Sequence, residues 1–198
     1  MTIFLAVVLP ISIFRLDHSK AVDDLKLMGI PVFAPYEERK SKRIFLDNFT
    51  VKSVPLINSE GKWLHTNNNG SECPICAYII NVDRKNILYF TDARYCPFTF
   101  QKYQLQTIII GCNYEDDADI GNDVKNYHVR LGHAALSTVK DLVKANITDA
   151  LRHVVLCHLS ETADAARMEA EIKSVVDVGV TVNIAEANET IDLGDTPF

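Results

Sequence analysis

The chain has no excess of basic charge: 20 Lys and Arg stand against 26 Asp and Glu, for a formal charge of −6. A broad, sequence-independent nucleic-acid surface needs clustered cations to meet phosphates, so this balance argues against one. The one dense basic run, Arg39-Lys40-Ser41-Lys42-Arg43, is either a solvated loop or a local site for a phosphate-bearing substrate. Long apolar runs are also missing. The most apolar stretch, Met1 to Phe14, is interrupted by Pro10 and falls short of the roughly 18 residues a membrane span needs. No Lys or Arg precedes it, which argues against a signal peptide. A buried strand is expected there, and no membrane partner. Paired cysteines are missing too. The five cysteines, Cys73, Cys76, Cys96, Cys112 and Cys157, are odd in number and scattered through apolar segments. That pattern fits a reducing, cytoplasmic setting better than a disulfide framework. Cys73-Pro74-Ile75-Cys76 has no second pair at zinc-site spacing, and a strand follows it where a redox motif would want a helix. Strand-entry residues are therefore expected, not a redox pair or a structural zinc.

What is present suffices for one core. The chain has 198 residues, 47% of them hydrophobic and 23% charged, as in a soluble globular domain. Without repeats, low-complexity tracts or a linker, residues 1–198 read as a single domain. Asp17 to Gly29 is expected to be a helix, capped by Asp17, with Ala21, Val22, Leu25 and Met28 at helical spacing. A short strand from Ile30 to Ala34 follows, so the opening is an α/β unit with a parallel sheet. The middle reads as β: Phe49 to Leu56, then Cys76 to Val82 and Asn86 to Thr91 around a turn at Asp83-Arg84-Lys85, then the continuous apolar run Thr107 to Cys112. Asn58 to Gly70 is a loop by composition. The last third returns to α/β, with helices at Leu136 to Ala145 and Ala163 to Val176 and strands at Val154 to Cys157 and Val180 to Ala185.

Three apolar segments each end in a residue able to bind a metal. Ile13-Phe14-Arg15-Leu16 leads to Asp17-His18, Ile87 to Thr91 leads to Asp92, and Val154 to Cys157 leads to His158. Open α/β sheets gather their active residues where strands end. A fourth candidate, His65, sits in the Asn-rich loop. Singly, each has an ordinary reading as a cap, a turn or a satisfied structural histidine. Jointly, carboxylate and imidazole form the ligand set of hydrolytic zinc, manganese or iron sites.

Five segments in order carry a resemblance. Asp17-His18-Ser19-Lys20-Ala21, with Gly29-Ile30-Pro31-Val32 after it, resembles the second half of an H-x-H-x-D-H signature. Thr91-Asp92-Ala93-Arg94-Tyr95 is similar to a T-D-T-x-Y segment, Gly111-Cys112-Asn113-Tyr114 to an E-x-N-Y segment, Gly132-His133 to a G-H segment, and Cys157-His158-Leu159-Ser160 to an H-L-S segment. Together they resemble the metallo-β-lactamase-fold hydrolases, from Asp17 to Leu193. The small phage-type and bacterial exonuclease or phosphodiesterase-like members are the most similar branch. The resemblance implies an αβ/βα sandwich. It implies that His65 is the third histidine of a first metal site, that Asp92 bridges two metals, and that Asp17, His18 and His158 complete the second site. Asp17 would also orient or deprotonate the attacking water. His133 resembles the histidine that assists phosphodiester cleavage in tRNA 3′-processing relatives; a helix-start residue with a backbone partner is its other reading.

Two departures qualify this. The signature would place histidines where this chain has Ile13 and Arg15; one cannot bind metal and the other is a permanent cation. The expectation is one zinc or manganese ion per chain, in the second site. Only 16 residues precede Asp17, and they look unlike the family, so the first sheet is expected to be incomplete, with a homodimer available to cover it. Gly111, in place of an acidic residue, is a lesser departure. The function implied is metal-dependent hydrolysis of a phosphodiester, either a small molecule such as a nucleotide or a nucleic-acid end. The alternatives are a degenerate, non-catalytic binding module or truncated product, and a redox protein using Cys73 and Cys76. The abrupt change at Asp17 is what a shifted reading frame or misassigned start would leave. Sequencing the DNA upstream of the Asp17 codon is expected to find H-x-H coding in some frame; finding none ends that idea.

Overall fold

The apolar runs pair into one large mixed sheet, and the way its strands alternate in direction decides where its polar ends meet. The computed structural model describes residues 7–8, 24, 27–29, 32–33, 39–46, 49–66, 70–118, 129–186 and 189–194. Seven strands lie in the sequential order β3 (Arg43–Leu46), β4 (Phe49–Pro55), β5 (Cys76–Val82), β6 (Lys85–Phe90), β7 (Thr107–Gly111), β8 (His153–Cys157) and β9 (Thr181–Ile184). The first four pair antiparallel, and β6 to β9 pair parallel. A separate parallel pair joins β1 (Val7–Val8) to β2 (Val32–Phe33). The α/β class with a parallel component is as expected. The expected helix from Asp17 to Gly29 lies mostly outside the described residues. Asp24 and Leu27 are helical, Met28 N donates to Asp24 O, and Gly29 follows at φ 72.

The β5–β6 hairpin closes on Asp83 and Arg84, both at positive φ (49 and 65), with Val82 facing Lys85. Positive φ at both central positions gives the turn the twist that matches right-handed strands. Lys85 therefore belongs to the strand, one residue earlier than its composition suggested. The basic run also differs from a plain loop. Arg43 opens edge strand β3, where cations discourage further strand pairing. Arg39 donates to Gly61 O, lies 4.0 Å from Glu72 and sits over the Trp63 ring.

Helix α1 (Leu136–Asn146) buries Leu136, Val139, Leu142, Val143 and Asn146, and helix α2 (Ala165–Lys173) buries Met168 and Ile172. This is the three-and-four spacing of an inward stripe. They join a core with Leu88, Phe90, Ile108, Ile110, Val154 and Leu156 from the parallel strands. Each helix start is held by a neighbouring acid. Ala135 cannot cap α1, and Asp116 Oδ2 instead accepts from Ser137 N at 2.9 Å. Asp164 caps α2 through Arg167 N and itself donates from its backbone to buried Glu115. Among the described residues no helix is long and apolar enough to cross a membrane.

No disulfide joins the five cysteines, and Cys73 and Cys76 are both buried at the entry to β5. Burial pushes the Cys76 thiol up to about 12; burial, followed by the negative charge of Glu115, does the same for Cys112. A thiol raised above its unfolded value of 9.0 stabilises the fold below that value, and the contribution is lost as pH rises toward 12. Between about pH 8 and about pH 10, each of these two thiols should remove on the order of 1 kcal/mol of stability. Urea unfolding of the protein and of Cys112→Ala checks this: the variant should lose less stability over that range.

Candidate metal centre

The C-terminal ends of β6 and β8 lie on the same edge of the sheet because the two strands run parallel to the β7 between them. One residue past β6 comes Thr91, then Asp92; directly past β8 comes His158. The third member, His133, stands between the helical turn at 129–132 and α1. One ligand atom from each of Asp92, His133 and His158 falls within 4.8 Å of the others. His158 Nε2 is 2.8 Å from Asp92 Oδ1, and His133 Nδ1 is 3.3 Å from the same oxygen. The two imidazoles stack with centroids 5.0 Å apart. His133 and Asp92 are 4% and 6% exposed, whereas His158 is 30% exposed. The cluster is thus buried on one side and open at His158.

Burial alone would raise the Asp92 carboxyl, but the imidazoles of His133 and His158 outweigh it and hold the group well below the usual carboxylate range. Asp92 Oδ2 is 3.4 Å from Thr91 Oγ1. Oδ1, though close to both rings, is buried and makes no contact with the angles of a hydrogen bond. Asp92 and His158 both have left-handed backbones, at φ 54 and 58. For residues other than glycine that conformation costs roughly 1–3 kcal/mol each and persists only where surrounding structure enforces it.

Of the six residues singled out from sequence, the structure brings Asp92, His133 and His158 into one cluster. His133, read as an assisting acid or a helix-start residue, sits among the candidate ligands. His65 stands behind it, buried at 1% exposure, its ring edge-on to His133 at 5.5 Å. His65 Nδ1 donates to Gly132 O at 2.9 Å. Such carbonyl support is the kind that orients ligating histidines and leaves Nε2 as the ligating nitrogen. Asp17 and His18 lie outside the described residues, as do Ile13 and Arg15.

The donor chemistry fits a metal ion. A carboxylate and two imidazoles converge from three separate elements, and the buried Oδ1 is an atom that a cation would satisfy.

Gly111 has a steric role that its sequence motif did not reveal. A Cβ there would stand 3.2 Å from Thr91 Cα, a backbone atom one residue before Asp92. The absent side chain lets β7 press against the segment carrying the carboxylate. In Gly111→Ala, an overpacking cost of about 1–3 kcal/mol should exceed the gain of about 0.4–1 kcal/mol from reduced unfolded-chain freedom. A net fall in the urea midpoint is expected; an unchanged or higher midpoint would show that the Thr91 segment is free to yield.

No protein-family model matches the chain, and no curated protein matches it by sequence. Solved structures do match it in shape. The metallo-β-lactamase fold protein YhfI from Bacillus subtilis superposes with a TM-score of 0.59 at 17% identity, covering 88% of this chain and 72% of its own. Zn(2+)-bound PqqB from Methylobacterium extorquens aligns with a TM-score of 0.47 at 12% identity, over 89% of this chain. This chain spans 62% of PqqB, less than two thirds of its length. The match to YhfI shows the architecture: the chain has the metallo-β-lactamase fold, with Asp92, His133 and His158 gathered at the C-terminal edge of its seven-stranded sheet.

Proposed function

We propose that the protein is a metal-dependent hydrolase acting on a phosphodiester, either a nucleotide or a nucleic-acid end, with one zinc or manganese ion per chain. The observation that carries this reading is the convergence of Asp92, His133 and His158 within 4.8 Å at a partly open strand edge. In this reading those three residues hold the ion, and the sequence resemblance adds Asp17, His18 and His65 to the set. When bound there, such an ion supplies Lewis acidity toward a phosphoryl oxygen and lowers the pKa of a water to about 7.

The chain's own residues do the rest. Asp92 brings a carboxylate that stays ionised through the working pH range, since the imidazoles hold it low. His158, the most exposed of the three, marks the side from which substrate approaches. Asp17 orients or deprotonates the attacking water. His133 Nδ1 is turned to Asp92, which favours a place in the donor set over its reading as the leaving-group acid. The replacement of two signature histidines by Ile13 and Arg15 favours a single ion over a pair.

Protein purified without added metal should carry about one zinc or manganese per chain by elemental analysis. Asp92→Ala should abolish metal-dependent hydrolysis of bis-para-nitrophenyl phosphate. A clean absence of metal would favour a non-catalytic binding module, and unchanged turnover in the variant would remove Asp92 from the mechanism.

A further inference from the structure

Strand β7 contributes none of the three clustered residues, yet its C-terminal end touches all three segments that do. Gly111 presses against Thr91, the residue before Asp92. Two residues on, Asn113 makes three hydrogen bonds to described residues in a nearly closed environment, with 9% of its surface exposed. Its backbone N–H donates to Ala134 O at 3.0 Å, immediately after His133. Its carbonyl accepts from Ser160 N at 2.9 Å. Its side-chain Nδ2 donates to the carbonyl of His158 itself, also at 2.9 Å. His158 is the residue with the left-handed backbone at φ 58, a conformation that needs an external restraint to persist.

We propose that Asn113 is a positioning residue for the metal cluster: its amide fixes the His158 carbonyl and its backbone N–H fixes Ala134, so that the imidazoles on both segments face Asp92. The residue type is specific to this task. Asp has the same shape but, when ionised, offers no donor to a carbonyl. Ala leaves that carbonyl without its side-chain donor, and Gln adds a methylene in a buried position. In this role Asn113 acts through the two histidine segments that it bonds. The metal-affinity arm of the test rests on the proposed metal-dependent function, whereas the resonance arm does not.

The test uses the full chain, metal-free, with isotope-labelled histidines. Asn113→Ala and Asn113→Asp should each shift the imidazole nitrogen resonances of His133 and His158 and the carbonyl carbon of His158. Asn146→Ala is the control. It removes another buried amide, at the C-terminal end of α1, which bonds Leu142 O and Phe100 N. The control should lower Tm by a similar amount and leave the histidine signals in place. Zinc affinity, measured by competition with a chelator, should fall roughly 10–100-fold in the Asn113 variants and stay within about 2-fold of the parent in the control. Histidine resonances that superpose on the parent's in both Asn113 variants would overturn the proposal, as would equal shifts in Asn146→Ala. If Asn113→Ala does not fold, the isosteric Asn113→Asp decides. A parent protein that binds no zinc would remove the metal function, and the resonances would still decide the positioning role.

Discussion

Two imidazoles close on the buried carboxylate of Asp92, and much of the architecture around that contact serves to hold it. A carboxylate at 6% exposure is costly unless positive or hydrogen-bonding groups face it. Here they come from distant parts of the chain: His133 from the segment before α1, and His158 from the end of β8. The parallel register of β6, β7 and β8 makes this convergence geometrically available, because parallel neighbours deliver their C-terminal ends to one edge. An antiparallel β7 would have put Gly111 and the Asn113 loop at the opposite edge from Asp92 and His158.

Holding the contact requires local strain, and the strain is met by bonds from the surrounding loops. Asp92 and His158 both sit in the left-handed region. Backbone bonds from Arg94 to Leu64, from Cys112 to Cys157, and from Asn113 to Ala134 tie the loops at that edge to one another. The loop after β7 extends the bracing into the helical layer, where Asp116 and Glu115 satisfy the starts of α1 and α2. Sheet edge, histidine loops and helix starts therefore form one connected polar layer above an apolar core. Such a layer rigidifies only when its members are satisfied together.

The fold was largely legible in the sequence wherever burial leaves a periodic trace. The continuous apolar runs at Thr107 and Val154 became β7 and β8, and the stripe Val139, Leu142 and Val143 became the inner face of α1. Strand β3 was hidden because it is only four residues long and opens on Arg43, the last cation of the basic run, at a sheet edge where charge is tolerated. The Lys85 boundary was hidden because the turn uses positive φ at Asp83 and Arg84, without the glycine that usually marks it. At the site, Asp92 and His158 were readable as polar residues ending apolar strands. Asn113 appeared only as a letter in a motif, since a side-chain bond to a carbonyl 45 residues away leaves no local pattern. Gly111 read as a lost acidic residue, although in the fold its missing Cβ is what matters.

By itself the sequence determined the element types and the identities of the candidate donors. Both depend on properties carried within a short window: apolar periodicity, strand ends and side-chain chemistry. Tertiary structure alone decided which donors share a centre and how they face one another. It placed His133 beside Asp92 and His158, set His65 behind it against the Gly132 carbonyl, and gave Asn113 its hold on His158. Those relations depend on strand order and on backbone angles at single residues. A linear reading cannot supply them, because a one-dimensional pattern records which groups exist and not the direction in which the folded chain turns them.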